Sequence, residues 1–118
     1  MEFQFKKKVP AAKRRQQVIS LLKNNPNKIP IILEKEPQCH AEPLEKTRFL
    51  LSKEFTVNQF TKMIRALMKI SNDEALFFSA KGKYTITGEK PMSQIYKDYK
   101  DKDDGFLYIA YTTEIVYG

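Results

Sequence analysis

Six consecutive residues near one end of the chain, Phe106-Leu-Tyr-Ile-Ala-Tyr111, carry no charge. A strand that shows one face to water alternates apolar and polar side chains; one covered on both faces reads as a continuous apolar run. This segment is therefore expected to be a largely buried final strand. The rest of the sequence must supply a sheet around it and layers to cover that sheet.

The candidates come in order. Val18, Ile19, Leu21 and Leu22 recur at helical spacing between Ala11 and Lys23, and Asn24-Asn-Pro-Asn27 stops the helix. Ile29-Pro-Ile-Ile-Leu33 is a β-branched run, with Pro30 placed near its start because proline cannot donate to a ladder. Residues 34–45, holding Pro37 and Pro43, read as loop. Arg48-Phe-Leu-Leu51 reads as a second, short strand. Thr56-Val-Asn-Gln59 has the reciprocal capping pattern that starts a helix. That helix is expected to run to about Lys69, with Val57, Phe60, Ile64, Leu67 and Met68 as its apolar stripe. Ala75–Ser79 and Tyr84–Thr87 are expected strands, and Pro91–Tyr99 a short helix. The order is helix, then β-β-α-β-β-α-β: an α+β domain with a mixed sheet and one principal crossover helix. At 118 residues one domain is expected.

Composition removes several classes of function. One cysteine, Cys39, excludes an intramolecular disulfide and fits a reducing compartment. No apolar run approaches the roughly 20 residues of a membrane span, and Met1–Lys8 lacks the apolar core of a secretory signal. Cys39 and His40 are neighbours on a Pro-flanked loop, where adjacent side chains point apart, so they make a poor catalytic pair. Gly82, Gly88, Gly105 and Gly118 are scattered and form no phosphate loop. No Cys/His cluster has metal-ligand spacing. The acidic run Asp98–Asp104 lacks the spacing and terminal Glu of a calcium loop and reads as a solvated turn. The expectation is a binding protein, not an enzyme, with no cofactor and no metal.

The formal net charge of +7 is unevenly spread. Residues 1–70 hold 15 Lys/Arg against 6 Asp/Glu, a balance of +9, and residues 71–118 hold 6 against 8, a balance of −2. Basic surface attracts acidic partners. Lys6-Lys-Lys8 and Lys13-Arg-Arg15 make the densest cluster, but single-strand binders interleave cations and aromatics along a groove. Here both are confined to one terminus, which disfavours nucleic acid.

Several strings, in order, resemble the autophagy ubiquitin-like modifiers, the group of microtubule-associated light chain three and the GABA-receptor-associated protein. They are Ala12-Lys-Arg-Arg15, KIPIILEK (28–35), EKTRFLLSKEFTVNQFTKMIR (45–65), DEALFF (73–78), MSQIY (92–96) and KDKDDGFLYIAYTTEIVYG (100–118). The resemblance covers essentially the whole chain. It departs at Ser52, where a proline is usual, in the turn Ala80-Lys-Gly-Lys-Tyr84, and at Ala66 and Leu67, where basic residues are usual.

The resemblance implies a ubiquitin-like β-grasp core over 27–118, with a C-terminal tail and a helical extension of two helices over 1–26 packed on the core. It implies that Gly118 is the conjugation point. Its carboxylate would be activated, passed to thiols of activating and conjugating enzymes, and joined to phosphatidylethanolamine. A processing and deconjugating cysteine protease is a further implied partner. A missing Cβ leaves such an acyl carbon open to attack. Two pockets for an aromatic-x-x-aliphatic peptide motif are implied beside the second strand. The first would be lined by Gln17, Leu21, Pro30, Ile32, Arg48, Leu50 and Phe106, the second by Phe49, Leu51, Phe55, Phe60, Met63 and Ile64. Lys28, Lys46, Arg48 and Arg65 would meet acidic residues flanking the motif. From spacing alone, Phe60, Met63 and Ile64 read as core instead. Implied partners are cargo receptors and adaptors, the membrane and tubulin; the implied place is the cytoplasm and, when lipidated, the autophagosome membrane. The competing reading is an unconjugated ubiquitin-like adaptor that binds acidic protein, such as tubulin, or nucleic acid through the basic half.

Overall fold

The computed structural model describes residues 1–116; Gly118, the expected conjugation point, lies outside the described residues. Five strands form one sheet: β1 (Lys28–Lys35), β2 (Arg48–Ser52), β3 (Glu74–Ala80), β4 (Tyr84–Ile86) and β5 (Leu107–Ile115). Their order is β2-β1-β5-β3-β4, with β1 and β5 parallel and every other pair antiparallel. Four helices, α1 (Gln4–Lys8), α2 (Ala11–Asn24), α3 (Val57–Leu67) and α4 (Met92–Tyr99), cover it.

The central strand is β5, as its unbroken apolar run requires. Leu107, Ile109 and Tyr111 point into the core shared with Val57, Phe60 and Ile64 of α3 and Met92 and Ile95 of α4. Phe106, Tyr108 and Ala110 point the other way, into a second core with Phe3, Phe5 and Val18. β1 divides in the same manner: Ile29, Ile31 and Leu33 face α3 and α4, while Ile32 faces the N-terminal helices. Strict alternation thus distributes one continuous run between two hydrophobic layers. Pro30 precedes Ile31, where pairing with β5 begins, so its missing N–H falls where β1 is not yet flanked on both sides.

α3 begins as its sequence requires. The Thr56 hydroxyl accepts from the Gln59 amide at 3.1 Å, and the Gln59 side-chain carbonyl accepts from the Thr56 amide at 2.9 Å. The helix ends at Leu67, two residues earlier than expected, and Leu67 is 53% exposed instead of joining the stripe. In α2, Ile19 is 66% exposed although its spacing placed it with Val18. Adjacent residues lie about 100° apart on a helix, and α2 rests on the sheet by a narrow ridge of Val18 with half-buried Leu21 and Leu22.

The acidic turn is not simply solvated. The Asp104 side chain is fully buried and Arg14 nearly so. The Arg14 Nε–H donates to Asp104 Oδ2 at 2.8 Å, and the Tyr108 hydroxyl donates to the same oxygen at 2.5 Å. The other oxygen accepts from the Phe106 amide at 2.8 Å. Arg14 also donates to the carbonyls of Lys6 and Val9. A buried charge is tolerated when paired and saturated with hydrogen bonds. Burial, and then the bond to Asp104, push the Tyr108 phenol well above its ordinary range. Part of the N-terminal basic cluster is therefore structural: Arg14 docks the helices, and Lys6 pairs with Asp101.

Candidate functional site: an open sheet edge beside a cavity

Among the described residues β2 is an outer strand, paired only with β1, and one side of its backbone is free to accept an added strand. Its burial alternates. Phe49 and Leu51 are buried in the α3/α4 core, Arg48 is exposed and Leu50 half-buried. Between β2 and α2 lies a cavity of about 600 Å³. Its walls are Lys13, Gln16, Gln17, Ser20 and Leu21 from α2, Lys46, Arg48, Phe49 and Leu50 from β2 and its approach, with Ile31 and Phe106.

Gln17, Leu21, Arg48, Leu50 and Phe106, from the first expected pocket, line this one space. Pro30 and Ile32 are buried in β1 and do not line it. Lys13, Gln16 and Ser20 were not expected there. Their signal was available: 13, 16, 17 and 20 share one helical face. The Gln17 Oε1 atom is buried without a hydrogen-bond partner among the described residues. A buried acceptor left unpaired costs free energy that an incoming donor recovers.

Of the second expected pocket, Phe49, Leu51, Phe60 and Ile64 are core residues, with Phe55 and Met63 half-buried against them. Phe60 packs edge-on to Phe49, ring centroids 6.2 Å apart. Only Phe49 of this set also borders the cavity. Among the expected cations, Lys46 Nζ lies 4.8 Å from the Phe49 ring centroid, and Arg48 Cζ lies 5.1 Å from that of Phe5. Both line the cavity. Lys28 is exposed at the start of β1, and Arg65 is committed to the carbonyls of Glu74 and Ser71 at 2.6 and 3.3 Å; neither lines it. Cys39 is buried against Thr113 while His40 is exposed, so the two side chains part.

A mixed five-stranded sheet with a crossing helix, an open outer strand and added N-terminal helices is a ubiquitin-like fold. The family profile described as "Autophagy protein Atg8 ubiquitin like" matches residues 13–118, and the chain belongs to that family. It is 36% identical over 115 residues to microtubule-associated protein 1 light chain 3 gamma of Homo sapiens, covering 97% of this chain and 78% of the human one. Its structure is similar to the crystal structure of Trypanosoma brucei ATG8, with a TM-score of 0.90, 28% identity and full coverage of both chains. It is thus an autophagy ubiquitin-like protein.

Proposed function

We propose that this protein is an autophagy modifier joined through Gly118 to phosphatidylethanolamine, and that it recruits cargo receptors and adaptors to the autophagosome membrane by binding aromatic-x-x-aliphatic peptides on β2. On this reading it is an acyl carrier and a docking module, and the catalytic groups belong to its activating, conjugating and deconjugating enzymes.

The observation that carries the peptide reading is the juxtaposition of a free strand edge with an apolar cavity whose rim is cationic. An extended peptide adds to such an edge by main-chain hydrogen bonds, and alternate side chains enter pockets. The aromatic residue enters between Leu21, Leu50 and Phe106, where an indole N–H would meet the unpaired Gln17 oxygen. Acidic residues before it meet Lys13, Lys46 and Arg48. The aliphatic residue packs further along the edge at half-buried Phe55 and Met63, above Phe60 and Ile64. Two buried side chains at roughly 1.5–3 kcal/mol each, with a few strand hydrogen bonds, offset association entropy to give micromolar binding, about −8 kcal/mol.

Calorimetry with an acidic aromatic-x-x-aliphatic peptide tests this. Arg48→Glu is expected to weaken binding roughly tenfold, since it removes one charge-assisted contact and adds a like charge. Unchanged affinity in a folded variant rejects the groove. Incubation with ATP, the conjugating enzymes and phosphatidylethanolamine vesicles tests the terminus. A lipid adduct by intact mass, absent in Gly118→Ala, is expected; no adduct with enzymes active on another modifier rejects conjugation.

A further inference from the structure

A second cavity, of about 730 Å³, shares no lining residue with the peptide cavity. Four segments build it: the N-terminal stretch through Lys7, the turn between β3 and β4 with Tyr84, the turn after α4, and Tyr108 of β5. Five lysines line it, Lys6, Lys7, Lys81, Lys83 and Lys102. Its three carboxylates are already engaged. Asp101 is bound by Lys6 and accepts from the amides of Asp103 and Asp104, Asp103 is paired with Arg15, and Glu2 is paired with Lys7. Lys81, Lys83 and Lys102 have no ion pair among the described residues.

The turn that presents two of these lysines is held firmly. Lys81 has φ of +58° and Gly82 +73°. The left-handed region is uncommon for a residue with a Cβ and persists where the surroundings enforce it. Here the Lys81 amide donates to the Tyr108 carbonyl at 2.8 Å and the Lys83 amide to Ala80 at 3.0 Å, which tie the turn to the sheet. Tyr84, stacked on Tyr99 with ring centroids 5.2 Å apart, stands as an apolar wall beside the lysines.

We propose that this cavity binds a multiply phosphorylated polyol, the chemistry shared by a soluble inositol polyphosphate and a phosphoinositide headgroup. The volume lies within the range of small-molecule sites, roughly 300–1,000 Å³. Three unpaired ammonium groups around one space exceed what a single monoanion satisfies, whereas each phosphate monoester carries about −1.5 to −2 charges. Lysine serves phosphates as a mobile point charge and does not demand the planar fork geometry of arginine. A peptide is the poorer fit, because β4, the adjoining outer strand, is three residues long.

The full chain is titrated with inositol hexakisphosphate at an ionic strength of about 0.15 M, where only close charges still interact strongly. Saturable one-to-one binding is expected. A Lys81→Gln/Lys83→Gln/Lys102→Gln variant should bind about tenfold or more weakly, because three exposed charge contacts, each individually weak, are lost together. A Lys53→Gln/Lys62→Gln/Lys97→Gln variant, with the same loss of charge at exposed positions outside the cavity, should bind as the parent does. Circular dichroism and melting confirm that both variants are folded. Equal weakening in the two variants, binding that does not saturate, or equal displacement by a polyglutamate peptide of matched charge each overturns the proposal. Vesicles distinguish the sources. Site-dependent preference for phosphatidylinositol bisphosphate over phosphatidylserine at equal surface charge identifies the lipid headgroup, and binding of the soluble ligand alone identifies the free polyphosphate. Arg48→Glu should leave this titration unchanged, so failure here and failure of the peptide groove are separate results.

Discussion

The two faces of the sheet are covered by helices and held by different chemistry. Against α3 and α4, seventeen buried apolar residues form one continuous layer among the described residues. Against α1 and α2 there are seven, and the Arg14–Asp104–Tyr108 cluster sits beside them. Apolar contact is roughly proportional to area and tolerant of direction. A buried ion pair fixes direction but contributes little net stability over an apolar replacement. The larger face therefore holds the domain together, and the smaller face sets where the N-terminal helices sit. That placement matters for the candidate groove, because Gln17 and Leu21 of α2 form one of its walls.

The largest effect should come from the apolar face. Phe60→Ala removes a fully buried ring packed on Phe49 and Phe78 and should cost about 3–5 kcal/mol in urea unfolding. A loss under 1 kcal/mol would show that this face is not the principal core. Next, Asp104→Ala strands the buried Arg14 guanidinium and the Tyr108 hydroxyl, and should cost about 3 kcal/mol. Replacing both partners, Arg14→Met with Asp104→Leu, should cost less than Asp104→Ala alone, since no charge is left uncompensated. Hydrogen exchange sharpens the contrast. Asp104→Ala should accelerate exchange in α2 more than in α3; equal acceleration would mean that the two faces are one cooperative unit.

The smallest effect is the acid dependence of the N-terminal contact. Burial raises the Asp101 carboxyl, but the Lys6 hydrogen bond with those from the Asp104 and Asp103 amides outweighs it, leaving the group below its ordinary 3.8. The folded value is the lower one. The contribution is therefore fully present above the ordinary carboxylate range and is lost as pH falls through the depressed folded value. Lys6→Gln should lower the urea midpoint slightly near neutrality and converge with the parent in acid, so that the acid-side slope is reduced. An unaltered slope would remove Asp101 from the comparison.

What was readable in advance was local. The capping residues Thr56 and Gln59, the unbroken apolar run into β5, the alternation at Arg48–Leu51 and the element order from α2 onward are each set by neighbours within a turn or a pleat, whereas the short α1 carries no such local signal. Spacing went astray at Ile19 and Leu67, because periodicity gives the direction of a side chain and not how much of that direction a neighbour covers. In the candidate groove, the β2 residues follow from alternation, whereas the presence of α2 above them depends on how the N-terminal helices dock.

That docking was decided by tertiary structure alone. Arg14 and Asp104 are 90 positions apart, and nothing in either neighbourhood names the other. The same is true of the parallel pairing of β1 with β5 and of the lysines that converge from positions 6–7, 81–83 and 102 on one cavity. By itself the sequence determined which segments become helix or strand and which of their faces are apolar, because those depend on short-range geometry with a fixed period. Which faces meet, and which charges are drawn out of water together, depends on the closure of the whole chain around β5.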